Sequence, residues 1–400
     1  MAADLDPIFK ALDHERIHRA GSAWTDRGTA FLLSGLPKDR EESVRCHLRA
    51  IRLLEQLPHG TSAEFLADLG TAWVNLGCAF LADNTPGSLE QAREAFSRAI
   101  GLLENLPLSG CPRFRHNLAA AWMNRADASA RMRSGEALLE YHEAIKIARE
   151  LPLDERASFR VLLASSWINL GNLHLSLETF SDAGFAFDRA IESLGPLPGA
   201  GHRLACHHAA TAWANRGEAL LRVEGKESAA EAVQSAKQAL SLLEGRDLGG
   251  SPDAKLSLRA LRVRASGLES LLKGRTAGAD RVGELTDVAE RGIATALAHR
   301  FSAPDVFDPF VVWFFSFGSR AYGRYQPQFL AEYIDEILRR AGSCENPGLA
   351  ADLRRVGRQA TASALKELGR VRLLVQGARP TELLMGAVQG LRDTELRLSA

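Results

Sequence analysis

Along residues 163–198 the apolar positions change spacing once, in a way that predicts two helices and a turn. Leu163, Trp167, Leu170 and Leu177 fall on one helical stripe. Glu178 to Asp182 breaks that stripe and offers Ser181 or Asp182 as a helix N-cap. Ala183, Phe187, Ala190 and Ile191 then resume helical spacing. Gly195-Pro196-Leu197-Pro198 stops it, because proline lacks an amide donor and disfavours helix just before itself. Gly171 and Ala183 are small enough for two helix backbones to approach closely. The stretch reads as an antiparallel helix pair.

The same pattern recurs. Trp24, Trp73, Trp122, Trp167 and Trp213 open the phrases W-T-D-R-G, W-V-N-L-G, W-M-N-R-A, W-I-N-L-G and W-A-N-R-G, separated by 49, 49, 45 and 46 residues. The second helices carry Ala50-Ile51, Ala99-Ile100, Ala144-Ile145, Ala190-Ile191 and Ala239-Leu240. Four end at a Leu-Pro step: Leu57-Pro58, Leu106-Pro107, Leu151-Pro152 and Leu197-Pro198. A period of this length marks one supersecondary unit used repeatedly. A lone pair cannot bury both faces, so stability is expected from the interfaces between copies.

These residues resemble the tetratricopeptide repeat family, whose pattern is W-x2-L-G-x2-Y, then A-x3-F-x2-A, then P. The fourth copy carries it as Trp167, Leu170, Gly171, Ala183, Phe187, Ala190 and Pro196, with His174 in place of Tyr. The second carries Trp73, Leu76, Gly77, Phe80, Ala92, Phe96, Ala99 and Pro107. The resemblance covers roughly residues 10–248. It implies an all-α, right-handed solenoid of antiparallel helix pairs. The period of 45–49 residues exceeds the family's usual 34, and the excess lies mainly before each Trp. The first helices should therefore be lengthened. Residues 1–248 are expected to hold five copies, and residues 249–300 a degenerate sixth pair. Residues 301–400 form a divergent helical part, which either continues the solenoid or is a separate domain. Within it, Phe310 to Phe317 is the densest apolar run, Pro327 begins a second helix, and Pro347 to Gln376 reads as one more.

The residue two past each Trp is Asp26, Asn75, Asn124, Asn169 or Asn215. Stacked pairs present such positions as a row, and a side-chain amide can meet both backbone groups of an extended peptide. By resemblance this row faces a concave groove and is the leading peptide-contact set. The alternative is that it ties neighbouring helices together. Val74, Met123 and Ile168, one past Trp, suggest apolar pockets beside the amides, suited to an amphipathic segment. The family's carboxylate clamp needs Lys or Arg one past Trp or two before it. Neither row is basic here: Thr25, Val74, Met123, Ile168 and Ala214 in one, Ser22, Thr71, Ala120, Ser165 and Thr211 in the other. Arg27, Arg125 and Arg216 stand three past Trp, either packing their stems and reaching an acid or receiving acids of a ligand.

Composition narrows the remaining chemistry. Lys plus Arg and Asp plus Glu each number 49, for a net charge of zero, which argues against a nucleic-acid partner. Only the last fifty residues lean basic. No phosphate loop, H-E-x-x-H or G-x-S-x-G motif is present, so no enzyme activity and no cofactor are expected. His202 and Cys206 have the spacing of two metal ligands but lack an evident third. The start shows no apolar signal region, and no apolar stretch suggests a membrane span. The five dispersed cysteines fit reduced thiols, so a cytoplasmic location is expected. The expected partner is another protein or peptide, with the protein serving as adaptor or scaffold. A self-assembling structural protein using the Phe310 to Phe317 region is the alternative.

Overall fold

The computed structural model describes residues 6–58, 62–195, 203–244, 251–272, 279–326, 329–342, 346–374 and 389–394. Helices joined by short turns make up these residues, with no strand among them. The chain divides into two compact units, Met1–His208 and Ala209–Ala400, with the division inside α9 (Arg203–Arg222).

The N-terminal unit contains α1 (Asp6–Leu33), α2 (Pro37–Leu54), α3 (Ala63–Asp83), α4 (Pro86–Leu103), α5 (Pro112–Arg131), α6 (Ala137–Arg149), α7 (Ala157–Ser176) and α8 (Phe180–Leu194). Each odd-numbered helix packs most closely on the helix after it; α3, α5 and α7 pack next on the helix before them, and consecutive odd-numbered helices also touch. The lengthened first helices are present. Ala63, Pro112, Ala157 and Arg203 begin α3, α5, α7 and α9 ten residues before Trp73, Trp122, Trp167 and Trp213. The helix α8 starts at Phe180, ahead of the expected caps, and the Thr179 hydroxyl donates to His174 O, 3.2 Å away, rather than capping the helix. The Leu of each described Leu-Pro step folds back into the core: Leu57, Leu106 and Leu151 are buried. The fourth such step lies outside the described residues.

The cores straddle consecutive copies, as a repeat stabilised by its neighbours requires. One cluster joins Phe96 and Leu103 of α4 to Phe114, Leu118 and Ala121 of α5. Another joins Tyr141 and Ile145 of α6 to Leu162, Leu163 and Leu170 of α7. Within a copy, the Gly four past Trp receives a ring from the partner helix. A Cβ at Gly77 would stand 2.5 Å from Phe96, and one at Gly171 would stand 2.6 Å from Phe187. Only glycine permits that approach.

In the C-terminal unit, α10 (Lys226–Leu243), α11 (Ser251–Leu272), α12 (Ala279–His299) and α13 (Pro304–Tyr325) pack in succession. The last two helices are α14 (Leu330–Gly342) and α15 (Pro347–Leu374), and α13 rests chiefly on α12 and α15. The residues expected to form a sixth pair fold as α11 and α12, which pack more on α10 and α13 respectively than on each other. Pro327, the expected start of the following helix, lies outside the described residues. Val311, Phe314, Phe315 and Phe317 are fully buried among Leu258, Leu261, Val288, Ile293 and Ile334. Most of the aromatic run lies in the core of this unit. Its helical spacing places these side chains inward, leaving Phe310, Val312 and Trp313 partly covered at its margin.

Candidate functional site

The first helices of the N-terminal unit, α1, α3, α5 and α7, touch one another in order, so equivalent positions form a continuous face. Side chains cross from one copy to the next along it. His18 Nε2 lies 2.7 Å from Asp68 Oδ2, and Arg113 reaches the same carboxylate at 3.5 Å. Asn117 Nδ2 donates to Thr71 Oγ1 at 3.0 Å. Two residues of the amide row join in. Asn124 Nδ2 donates to Cys78 Sγ at 3.5 Å, and Asn169 Nδ2 donates to Asp127 at 3.0 and 3.2 Å. The rule is geometric: the amide two past one Trp meets the side chain five past the preceding Trp. These amides tie copies together with one edge. The side chain of Asn75 makes no such bond, and Asp26 is exposed.

The fifth member departs from the row. Asn215 is 1% exposed, and its Oδ1 accepts a 2.7 Å bond from Arg259, which also pairs with Glu218. A charged donor holds its carbonyl oxygen, so Asn215 is not a free contact in this fold. The apolar row is corrected too. Val74 and Ile168 are buried, Val74 in the cluster that holds Leu118 and Ala121 of the following copy. The position one past Trp points into the joint between copies, so only Met123 stays half-exposed.

Of the arginines three past Trp, Arg125 and Arg216 pack their stems and reach acids. Arg125 lies over the Trp122 ring at 4.0 Å and pairs with the buried Glu140 at 3.0 Å. Arg216 lies over Trp213 at 5.8 Å, with Glu231 at 3.0 Å. Arg27 lies over Trp24 at 5.2 Å. Sequence reasoning missed Arg49 and Arg98, which cover Trp24 and Trp73 from the second helices at 4.4 and 4.9 Å. Their signal was visible, since each directly precedes the repeated Ala-Ile pair. Trp167 instead meets the edge of Phe185, which is 60% exposed.

Asp127 was also missed. It accepts from Asn169 and from the Tyr141 hydroxyl, joining α5, α6 and α7. Burial pushes its carboxyl up from 3.8 to about 6, against the lowering effect of Tyr141, Arg131 and Asn169. An acid whose folded pKa is raised binds more protons folded than unfolded. Its contribution is therefore present at acid pH and is lost as pH rises from about 4 to about 6. Asp127→Asn should remove this loss and raise stability at pH 7 by about 1–2 kcal/mol, a value discounted for partial exposure. Paired urea titrations at pH 4.5 and pH 7 measure it. Equal gains at both pH values would contradict the assignment.

Among the described residues no group of three His, Cys, Asp or Glu side chains is placed to hold a metal ion. Cys206 is buried, and His202 lies outside those residues. Among the described residues one helix, α3, is long and apolar enough to cross a membrane, yet it packs on both neighbouring pairs.

No family model matches the chain, and no curated protein matches it. Solved structures do. The crystal structure of BtubC (BKLC) from P. vanneervenii superposes with a TM-score of 0.50 at 16% identity, covering 65% of this chain and 92% of that one. Weaker likenesses are to an IFIT1 monomeric mutant with Gppp-AAAA and to the P58(IPK) TPR domain. The first has TM-score 0.36, 13% identity and 94% and 90% coverage; the second has 0.20, 14%, 99% and 93%. At these identities the likeness concerns fold. The helix pairs, the Trp-centred phrase they share and the face formed by their first helices make this chain an all-α solenoid of tetratricopeptide-like repeats.

Proposed function

We propose that this protein is a non-catalytic adaptor whose N-terminal unit holds an extended peptide segment of another protein. The observation that carries the reading is the continuous face of α1, α3, α5 and α7, with Asp26, Asn75, Asn124 and Asn169 at equivalent places along it. The side chains crossing this face include the amides and hydroxyls of Thr71, Asn117, Asn124 and Asn169, beside the Asp68 and Arg113 pair. Such groups suit peptide backbone better than a ligand of one strong charge. Asn124 and Asn169 are held by their Nδ2 groups, which fixes them before a ligand arrives and lowers the ordering cost of binding. Met123 adds a modest apolar contact.

Selection of unstructured peptides from a display library against the whole protein tests this. Recovered peptides should bind Asn75→Ala about three- to tenfold more weakly, the loss of one net hydrogen bond. Asn75 is the informative position because its amide ties nothing in the fold. Unchanged affinity in both Asn75→Ala and Asn124→Ala would remove the row from the reading. Recovery of binding only with single-stranded RNA in the same assay would replace the partner class.

A further inference from the structure

The C-terminal unit holds a half-open cavity of about 810 Å³ between α13 and α15, floored by α11 and α12. Its size lies within the range of small-molecule sites, roughly 300–1,000 Å³. Leu285, Phe317, Val356 and Ala360 form its apolar walls. Among its polar lining, Arg320 is already engaged: its Nε lies 3.5 Å from Glu269 Oε1 and its Nη1 donates to Ser316 Oγ at 3.0 Å. Arg324, one turn further along α13, is an exposed residue that lines the same cavity and has no carboxylate partner among the described residues. Two other lining residues, Ser319 and Tyr325, bury hydroxyls that lack any hydrogen-bond partner. Each such orphan weakens the fold unless something else satisfies it.

The geometry points to a small-molecule site for an amphipathic monocarboxylate, with its acid group on Arg324 and its apolar body against Phe317, Leu285 and Val356. A single unopposed guanidinium calls for one negative charge, and its planar fork matches a carboxylate. Glu269 offsets Arg320, so a dianion has no second free cation to meet. The apolar walls require a hydrocarbon body, since a small polar acid would leave them wet. The hydroxyls of Ser319 and Tyr325 are the donors nearest in kind for the remaining carboxylate lone pairs. This site is independent of the peptide face on the N-terminal unit.

The test uses the whole protein and the fluorescent anion 8-anilinonaphthalene-1-sulfonate as reporter, displaced by decanoate, decanol or decyltrimethylammonium. Decanoate should displace the reporter with one-site behaviour, at least tenfold more effectively than decanol or the cation. Arg324→Gln should weaken decanoate tenfold or more while leaving decanol unchanged. Ala360→Leu, which intrudes on the cavity, should weaken all three, with far-ultraviolet circular dichroism confirming that both variants stay folded. Equal displacement by the three amphiphiles, or undiminished decanoate affinity in Arg324→Gln, would overturn the assignment. So would a failure of decanoate to displace the reporter at all.

Discussion

Replacing Phe187 with alanine is expected to destabilise the N-terminal unit by about 3–5 kcal/mol, the usual cost of deleting a buried aromatic ring. Phe187 is fully buried and stands against the backbone of Gly171, joining α7 to α8. The reciprocal change is informative. Gly171→Ala places a methyl 2.6 Å from the ring, closer than carbon atoms tolerate, so Phe187 must move. That overpacking should cost about 1–3 kcal/mol although alanine is the better helix former. The double variant Gly171→Ala with Phe187→Leu should be more stable than the sum of the two single effects predicts, because the smaller side chain makes room for the methyl. Urea unfolding combined with amide exchange in α7 and α8 measures this coupling. Strict additivity would show that the two residues do not share one packing joint.

His47→Phe is expected to stabilise the protein, and more strongly in mild acid. His47 occupies in α2 the place that Phe96 and Phe187 occupy in α4 and α8, packed against Gly28. It is 0% exposed, and neither ring nitrogen has a partner. Burial pushes its pKa down from 6.5 to about 4. The folded state therefore keeps the ring neutral while the unfolded chain takes up a proton. Stability from this residue is fully present above about pH 6.5 and is lost as pH falls towards 4, by up to about 3 kcal/mol. Phenylalanine should restore that loss and add about 1–3 kcal/mol at pH 7.5 by removing an unpaired buried N–H. Thermal melts between pH 4 and pH 8 test it. A variant no more stable than the parent at pH 7.5, or one whose loss of stability in acid is undiminished, would refute it.

How much of this was readable beforehand follows from the residues involved. The pairs were, including the lengthened first helices, because Trp, the Gly four places on, the paired ring and Ala-Ile recur at helical spacing. The amide row was visible as a row, but not its partners. Asn169 meets Asp127 across 42 residues, and that distance depends on how far one copy is rotated against the next. The same rotation took Val74 and Ile168 from an expected groove into the joints. The His47 position was legible only after alignment with Phe96 and Phe187, and its two unpartnered nitrogens only in the packed structure.

By itself, the order of residues determined the secondary structure, the repeat and the all-α class, because helical periodicity and proline stops act locally. Tertiary structure alone decided three things: where the chain divides, which amides stay open to a ligand, and that a cavity with one unopposed arginine lies between α13 and α15. Those depend on contacts between residues distant in the chain, whose geometry is set by how side chains fill the space between helices.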